Sequence, residues 1–260
     1  MRNIVIPFGI SILLVLGSFN TVGITKYKVR KIVIDPGHGG KDPGTHGSIS
    51  KEKDIALKIA LEVGRVINDN LPDVEVIFTR TDDSFPKLHE RSNLANKKDV
   101  DLFISIHANW VSNPSIYGTE TYVMGVQNTA GNFEVAKREN SVILLEDNYE
   151  TKYDGFNPES PDSYILFSLT QSAFQERSLR LAGLIEDQFK TRVGRKSRGV
   201  KQSSLWVLWN TAMPSVLVEV GYLSNEKEEK ELNDPLNQVY IASGIYRAFR
   251  DYKMELESMN

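Results

Sequence analysis

Cysteine is missing from this 260-residue chain altogether, so disulfides, thiolate metal ligands and acylated-cysteine lipid anchors are all excluded. Any bound metal must be held by nitrogen and oxygen. Histidine is scarce too, with four in the chain. No long block of like charge occurs, and the formal net charge is only −3, so the basic face that a nucleic-acid binder needs is absent. There is no internal repeat and no low-complexity linker. Acidic residues are missing from the first 34 positions, which instead carry the one extended apolar run, Ile4 to Phe19, behind a basic Met1-Arg2-Asn3. That order reads as an export signal over residues 1–23, with cleavage after Gly23. The run is short for a full span, so a retained anchor is the alternative, and membrane contact is expected only if the segment is kept. The expected location is outside the cytoplasm: a periplasm first, with secretion or membrane anchoring as alternatives.

The remainder has the apolar and charged content of a globular domain and the length for one substantial core. Strand-like runs occur at Lys31–Asp35, Val74–Thr79, Asp101–Ile106, Thr119–Met124, Leu205–Leu208 and Ser215–Val220. Helical spacing marks Glu52–Leu71, where Ile55, Ile59, Val63 and Ile67 share a face and Pro72 stops the helix. Further helices are expected at Leu88–Lys98, Ser172–Val193 and Gln238–Met254. Strands alternating with helices predict a single α/β domain: a twisted, mostly parallel or mixed sheet of about six strands with helices on both faces. The stretch between Met124 and Ser172 breaks that rhythm. It holds an amphipathic segment, Phe133–Asp147, and an acidic, aromatic loop, and so long a connection suggests a functional cover.

Polar residues at strand ends are the chemical candidates, because an open α/β sheet binds ligands at the carboxyl ends of its strands. His38 stands where Ile32-Val33-Ile34-Asp35 gives way to Pro36-Gly37-His38-Gly39-Gly40, and His107 follows a second strand-like run. Glu52 opens the first helix, where it can turn back towards His38. Glu219 lies among valines in Val218-Glu219-Val220, a setting that costs several kcal/mol for an unpaired carboxylate. Two histidines and a carboxylate are a known catalytic zinc set with a fourth position for water. Taken singly, each histidine also fits a structural role, and Glu52 also fits a dipole-favoured helix start. His46 and His89 lack a strand-end setting and read as structural or surface residues. Arg80 and Arg91 read as ion-pair partners at the sheet edge.

Several motifs in order carry a family resemblance: Ile34-Asp35-Pro36-Gly37-His38-Gly39-Gly40 with Asp42-Pro43-Gly44, then Lys51-Glu52-Lys53-Asp54 and Thr79-Arg80-Thr81-Asp82. Leu88 and Arg91 with Ala95-Asn96 follow, then Ser105-Ile106-His107-Ala108-Asn109 and Val218-Glu219-Val220-Gly221-Tyr222-Leu223-Ser224-Asn225. The chain resembles the zinc-dependent N-acetylmuramoyl-L-alanine amidases, hydrolases of the cell wall. The resemblance implies an amidase catalytic domain over residues 28–255 with 128–170 as an insertion covering the site. It implies Zn2+ on His38, Glu52 and His107, and Glu219 as catalytic carboxylate. The substrate it implies is peptidoglycan, cut between N-acetylmuramic acid and L-alanine during wall remodelling or daughter-cell separation. Asn109 becomes a substrate contact, with capping of the following turn as its alternative. Some such amidases carry a helix over the zinc that an activator protein displaces. Glu134 to Ile143 resembles its start, which makes Glu139, or else Glu146, a candidate to block the metal. The rival readings are a non-catalytic peptidoglycan-binding relative and another zinc peptidase or deacetylase on a similar scaffold.

Overall fold

The computed structural model describes residues 27–125, 129–164 and 174–259. The export segment expected over residues 1–23 lies outside them. Six strands form one mixed sheet: β1 (Lys31–Pro36), β2 (Glu75–Phe78), β3 (Leu102–Asn109), β4 (Thr119–Met124), β5 (Ser197–Ser203) and β6 (Ser215–Tyr222), in the order β2-β1-β3-β6-β4-β5. Only the β4–β6 pair is antiparallel. Eight helices are present among the described residues: α1 (Glu52–Asn70), α2 (Leu88–Lys98), α3 (Ala130–Asn140), α4 (Tyr149–Lys152), α5 (Gln175–Gln188), α6 (Trp206–Trp209), α7 (Glu226–Asn233) and α8 (Pro235–Ser258). This is the α/β architecture expected from the alternation of strands and helices.

The period of two in the strands decides which residues meet. Ile32 and Ile34, Leu102, Ile104 and Ile106, and Val216, Val218 and Val220 face α1, α5 and α8, whose buried Ile59, Val63, Leu181, Ile185, Ile245 and Phe249 complete one core. The alternate positions, Val33, Phe103, Tyr122 and Leu217, face the other way. There they pack on Ala95 of α2, Val135 and Ala136 of α3, and Tyr153, Phe156 and Tyr164 from the insertion. Asp35, Ser105, His107 and Glu219 keep the same parity as this second set. One alternation therefore puts every strand-borne polar candidate under the insertion.

Three expectations need correction. The run Leu205–Leu208 is not a strand. Trp206–Trp209 forms one helical turn that buries Val207 and Leu208, and so short an apolar run carries no periodicity to separate the two outcomes. The missing strand is β5, Ser-Arg-Gly-Val-Lys-Gln-Ser, a half-buried edge strand without an apolar face. Secondly, β3 runs on through Asn109, so His107 lies inside the strand rather than after it. Finally, the amphipathic segment Phe133–Asp147 is not one element: α3 begins before it, at Ala130, and gives way to a 3-10 turn over Ser141–Leu145. Within the expected helix Ser172–Val193, the described part is α-helical over Gln175–Gln188 and ends in a wider turn at Gly194.

Candidate metal centre

The loop after β1 is clamped from beneath by two arginines. Arg91 pairs with Asp35 at 2.8 Å and donates to the carbonyls of Pro36 (2.8 Å) and His38 (2.7 Å). Arg80 directs its donors to the carbonyls of Pro36, Gly37, Lys53 and Asp82. The ion-pairing expected of both thus holds for Arg91, while Arg80 is a carbonyl clamp. His38 is pinned at a φ of 59°, a left-handed conformation costly for a side-chain-bearing residue. Two glycines are sterically required: a Cβ on Gly37 would sit 2.4 Å from the His107 ring, and one on Gly44 would sit 2.6 Å from His38 Cδ2 and 2.7 Å from Glu52 Oε2.

Four side chains from distant places then converge. His38 Nε2 lies 3.1 Å from Glu52 Oε1 and 3.5 Å from Glu139 Oε2; His107 Nδ1 lies 3.0 Å from each of those same oxygens. One ligand atom from each residue falls within 4.8 Å of all the others, and all four residues are buried. Neighbours fix these side chains. Asp42 Oδ2 sits 2.7 Å from His38 Nδ1, and Glu52 accepts the Thr45 and Ala108 amide hydrogens at 2.8 and 3.0 Å. His38 Nε2 and Glu139 Oε2 are buried without hydrogen-bond partners, as expected of atoms aimed at a shared cation. Two imidazoles and two carboxylates fit zinc.

The electrostatics agree with a cation site. Burial disfavours the charged form of His38, yet Glu52, Asp42 and Glu139 lift its pKa well above the ordinary value. Burial likewise opposes protonation of His107, but Glu139 and Glu52 raise it to about 9. The carboxylates respond in the opposite sense: burial alone would raise them, while His38 holds Glu52, and His107 holds Glu139, well below the usual range.

Glu219 is the register partner of His107 across β3–β6, so it flanks the cluster. Both its oxygens are buried and without hydrogen-bond partners. Burial, followed by the charges of Glu139 and Glu52, pushes its pKa well above that of an ordinary glutamate. Asn109 is buried two residues beyond His107 and accepts from the Trp110 amide at 2.7 Å and from Arg138 at 2.9 Å. Glu146 does not reach the cluster. It accepts from Tyr153 Oη at 2.5 Å and lies 3.7 Å from His89 Nδ1, so His89 has the structural setting expected of it.

A family model described as N-acetylmuramoyl-L-alanine amidase matches residues 32–251. The chain belongs to that family. Among curated relatives, the amidase AmiA of Escherichia coli is 31% identical over 227 residues, covering 86% of this chain and 76% of that protein. Among solved structures, the catalytic domain of the amidase CwlV from Bacillus (Paenibacillus) polymyxa aligns with a TM-score of 0.64 at 31% identity, covering 86% of this chain and 97% of that one. The amidase CwlD from Clostridioides difficile, solved in complex with the GerS lipoprotein, aligns with a TM-score of 0.63 at 26% identity over 86% of this chain and 98% of that one. The chain is accordingly an enzyme, a hydrolase of the amidase family.

In this amidase a cavity of about 510 Å³ opens beside the cluster, lined by His38, Thr45, His46, Trp110, Arg138 and Leu145 among others. Two further residues of the site do not stand out in the sequence as candidates. Asp42 is legible in the Asp42-Pro43-Gly44 motif, four residues after His38, whose ring it holds. Arg138 is signalled only by its place beside Glu139, and its other contacts are Asn109 at the end of β3, Trp110 just after it and Glu219 on β6.

Proposed function

We propose that this amidase hydrolyses the amide joining the lactyl group of N-acetylmuramic acid to L-alanine in peptidoglycan, using zinc held by His38, Glu52 and His107. The observation that carries this reading is the convergence of those ligand atoms beside Glu219, whose carboxylate has no hydrogen-bond partner. Bound there, zinc would polarise the scissile carbonyl and lower the pKa of water. Glu219 takes the proton of the attacking water and returns it to the departing alanine amine. Asp42 holds His38 so that Nε2 is directed inwards, and Asn109 orients substrate at the end of β3. The test is to incubate the zinc-loaded protein with peptidoglycan. New alanine N-termini should appear, a chelator should abolish them and zinc should restore them; reducing sugar ends in their place would refute the reading.

Glu139 occupies the position that water and substrate need, so the insertion is a cover that holds the enzyme off until an activator protein displaces it. Wall remodelling and daughter-cell separation suit such control. Export is supported by the basic start and apolar run within residues 1–23. Among the described residues, no helix is long and apolar enough to cross a membrane. If the uncovered state is populated at 0.1–10%, complete release of the cover is worth roughly 10- to 1000-fold in turnover, and Glu139→Ala should recover part of that gain. Steady-state release of alanine termini from the purified variant checks this, and equal rates for variant and wild type would exclude Glu139 as the block.

A further inference from the structure

The cover has a second arm, one residue before Glu139. We propose that Arg138 is a separate lock on the same site, its guanidinium filling the approach to Glu219 while Glu139 fills the ligand position. This rests on the reading of the insertion as a cover. The guanidinium is fixed on three acceptors: Nη2 donates to Asn109 Oδ1 at 2.9 Å, Nη1 to the Trp110 carbonyl at 3.1 Å, and Nε to Glu139 Oε1 at 3.1 Å. Nη2 also stands 3.8 Å from Glu219 Oε1. Two of the three acceptors belong to the last residue of β3 and the one after it, so Arg138 grips the enzyme's frame while Glu139 reaches into the histidine–glutamate cluster. Adjacent helical residues point about 100° apart, which lets the last turn of α3 straddle both targets.

The chemistry of the site gives this placement its consequence. Glu219 can hand a proton to the leaving amine only if that nitrogen comes within hydrogen-bond distance of the carboxylate. The guanidinium stands beside that carboxylate, and Arg138 also lines the cavity that opens next to His38. Its positive charge sits between Glu139 and Glu219, which would otherwise repel each other across the buried site. Opening therefore requires two separable events, release of the ligand position and release of Glu219. Once α3 withdraws, the Trp110 carbonyl and the second lone pair of Asn109 Oδ1, whose first stays with the Trp110 amide, become acceptors for the amide N–H groups of the stem peptide.

The experiment compares the wild type, Arg138→Gln, Glu139→Ala and the double variant. In chelator-treated protein, coupling of a small amine to Glu219 by a water-soluble carbodiimide is mapped by peptide mass; in zinc-loaded protein, turnover of peptidoglycan is followed. Arg138→Gln should raise coupling at Glu219 at least about fivefold, while Glu139→Ala, which keeps the guanidinium, should change it less than about twofold. The double variant should turn over at least about fivefold faster than Glu139→Ala. Coupling in Arg138→Gln equal to the wild type, or a double variant no faster than Glu139→Ala, overturns the proposal. Should Arg138→Gln fail to fold, Arg138→Lys serves instead: one ammonium cannot span all three acceptors, so coupling should still rise, and unchanged coupling overturns the lock. A Glu139→Ala protein no faster than wild type is a distinct failure, that of the cover itself.

Discussion

Replacing Glu219 with glutamine is expected to cut peptidoglycan hydrolysis by a factor on the order of 10² to 10⁴ while leaving the fold and the metal content intact. The amide keeps the shape of the carboxylate but can neither take a proton from water nor return it to the alanine amine. Retention of the fold follows from the setting: both Glu219 oxygens are buried without hydrogen-bond partners, so no hydrogen bond is lost on substitution, and the one charged contact weakened is that with Arg138 at 3.8 Å. Burial and the neighbouring Glu139 and Glu52 raise the pKa of Glu219, so its ionised form opposes folding above the pKa of an unfolded glutamate near 4.3. The variant should therefore melt no lower than the wild type at pH 7 in the metal-free state. Turnover, metal content and thermal melts of the two proteins check the three parts. A variant that hydrolyses at the wild-type rate would remove Glu219 from the chemistry, and one that loses the ion would make it a ligand.

Much of this arrangement is legible in the chain because it depends on local signals. β1, β3 and β6 are apolar runs ending in polar residues, and the period of two places Asp35, Ser105, His107 and Glu219 on one face. β5 is illegible because an edge strand needs no apolar side, and Ser197–Ser203 has none. The choice between Glu139 and Glu146 could not be made from spacing. Residues seven apart on a continuous α-helix lie about 20° from one another around the axis, so both would face the metal. The 3-10 turn over Ser141–Leu145 breaks that phase and delivers Glu146 to Tyr153 and His89 instead. Arg138 is hidden for another reason: its partners Asn109 and Trp110 lie nearly thirty residues back, and only the docking of α3 on the sheet brings them within reach.

The largest loss of stability should come from Arg91→Ala. Asp35 is fully buried and accepts from Thr79 Oγ1 at 2.5 Å, Ser105 Oγ at 2.7 Å and Arg91 Nη1 at 2.8 Å. Truncating the arginine leaves that carboxylate without its cation, a change that costs about 3–5 kcal/mol in buried pairs. For a domain of this size, the melting temperature should fall by roughly 6 to 20 °C at neutral pH. Burial alone would raise the pKa of Asp35, but Arg91, with the two hydroxyls, holds it below the ordinary value. In the wild type, this group's stabilisation is therefore present above the unfolded pKa near 3.9 and is lost as pH falls through the folded value. Without Arg91, burial dominates and the carboxyl takes up a proton more readily in the folded protein, so the deficit should be greatest near pH 7 and shrink towards pH 4. Melting curves of both proteins across that range decide the matter, and a deficit that does not change with pH would show that the charge of Asp35 is not its source. The same arginine also holds the carbonyls of Pro36 and His38. Arg91→Lys should therefore recover part of the melting temperature through its charge and still bind zinc more weakly, because one ammonium cannot hold Asp35 and both ends of the loop that presents His38.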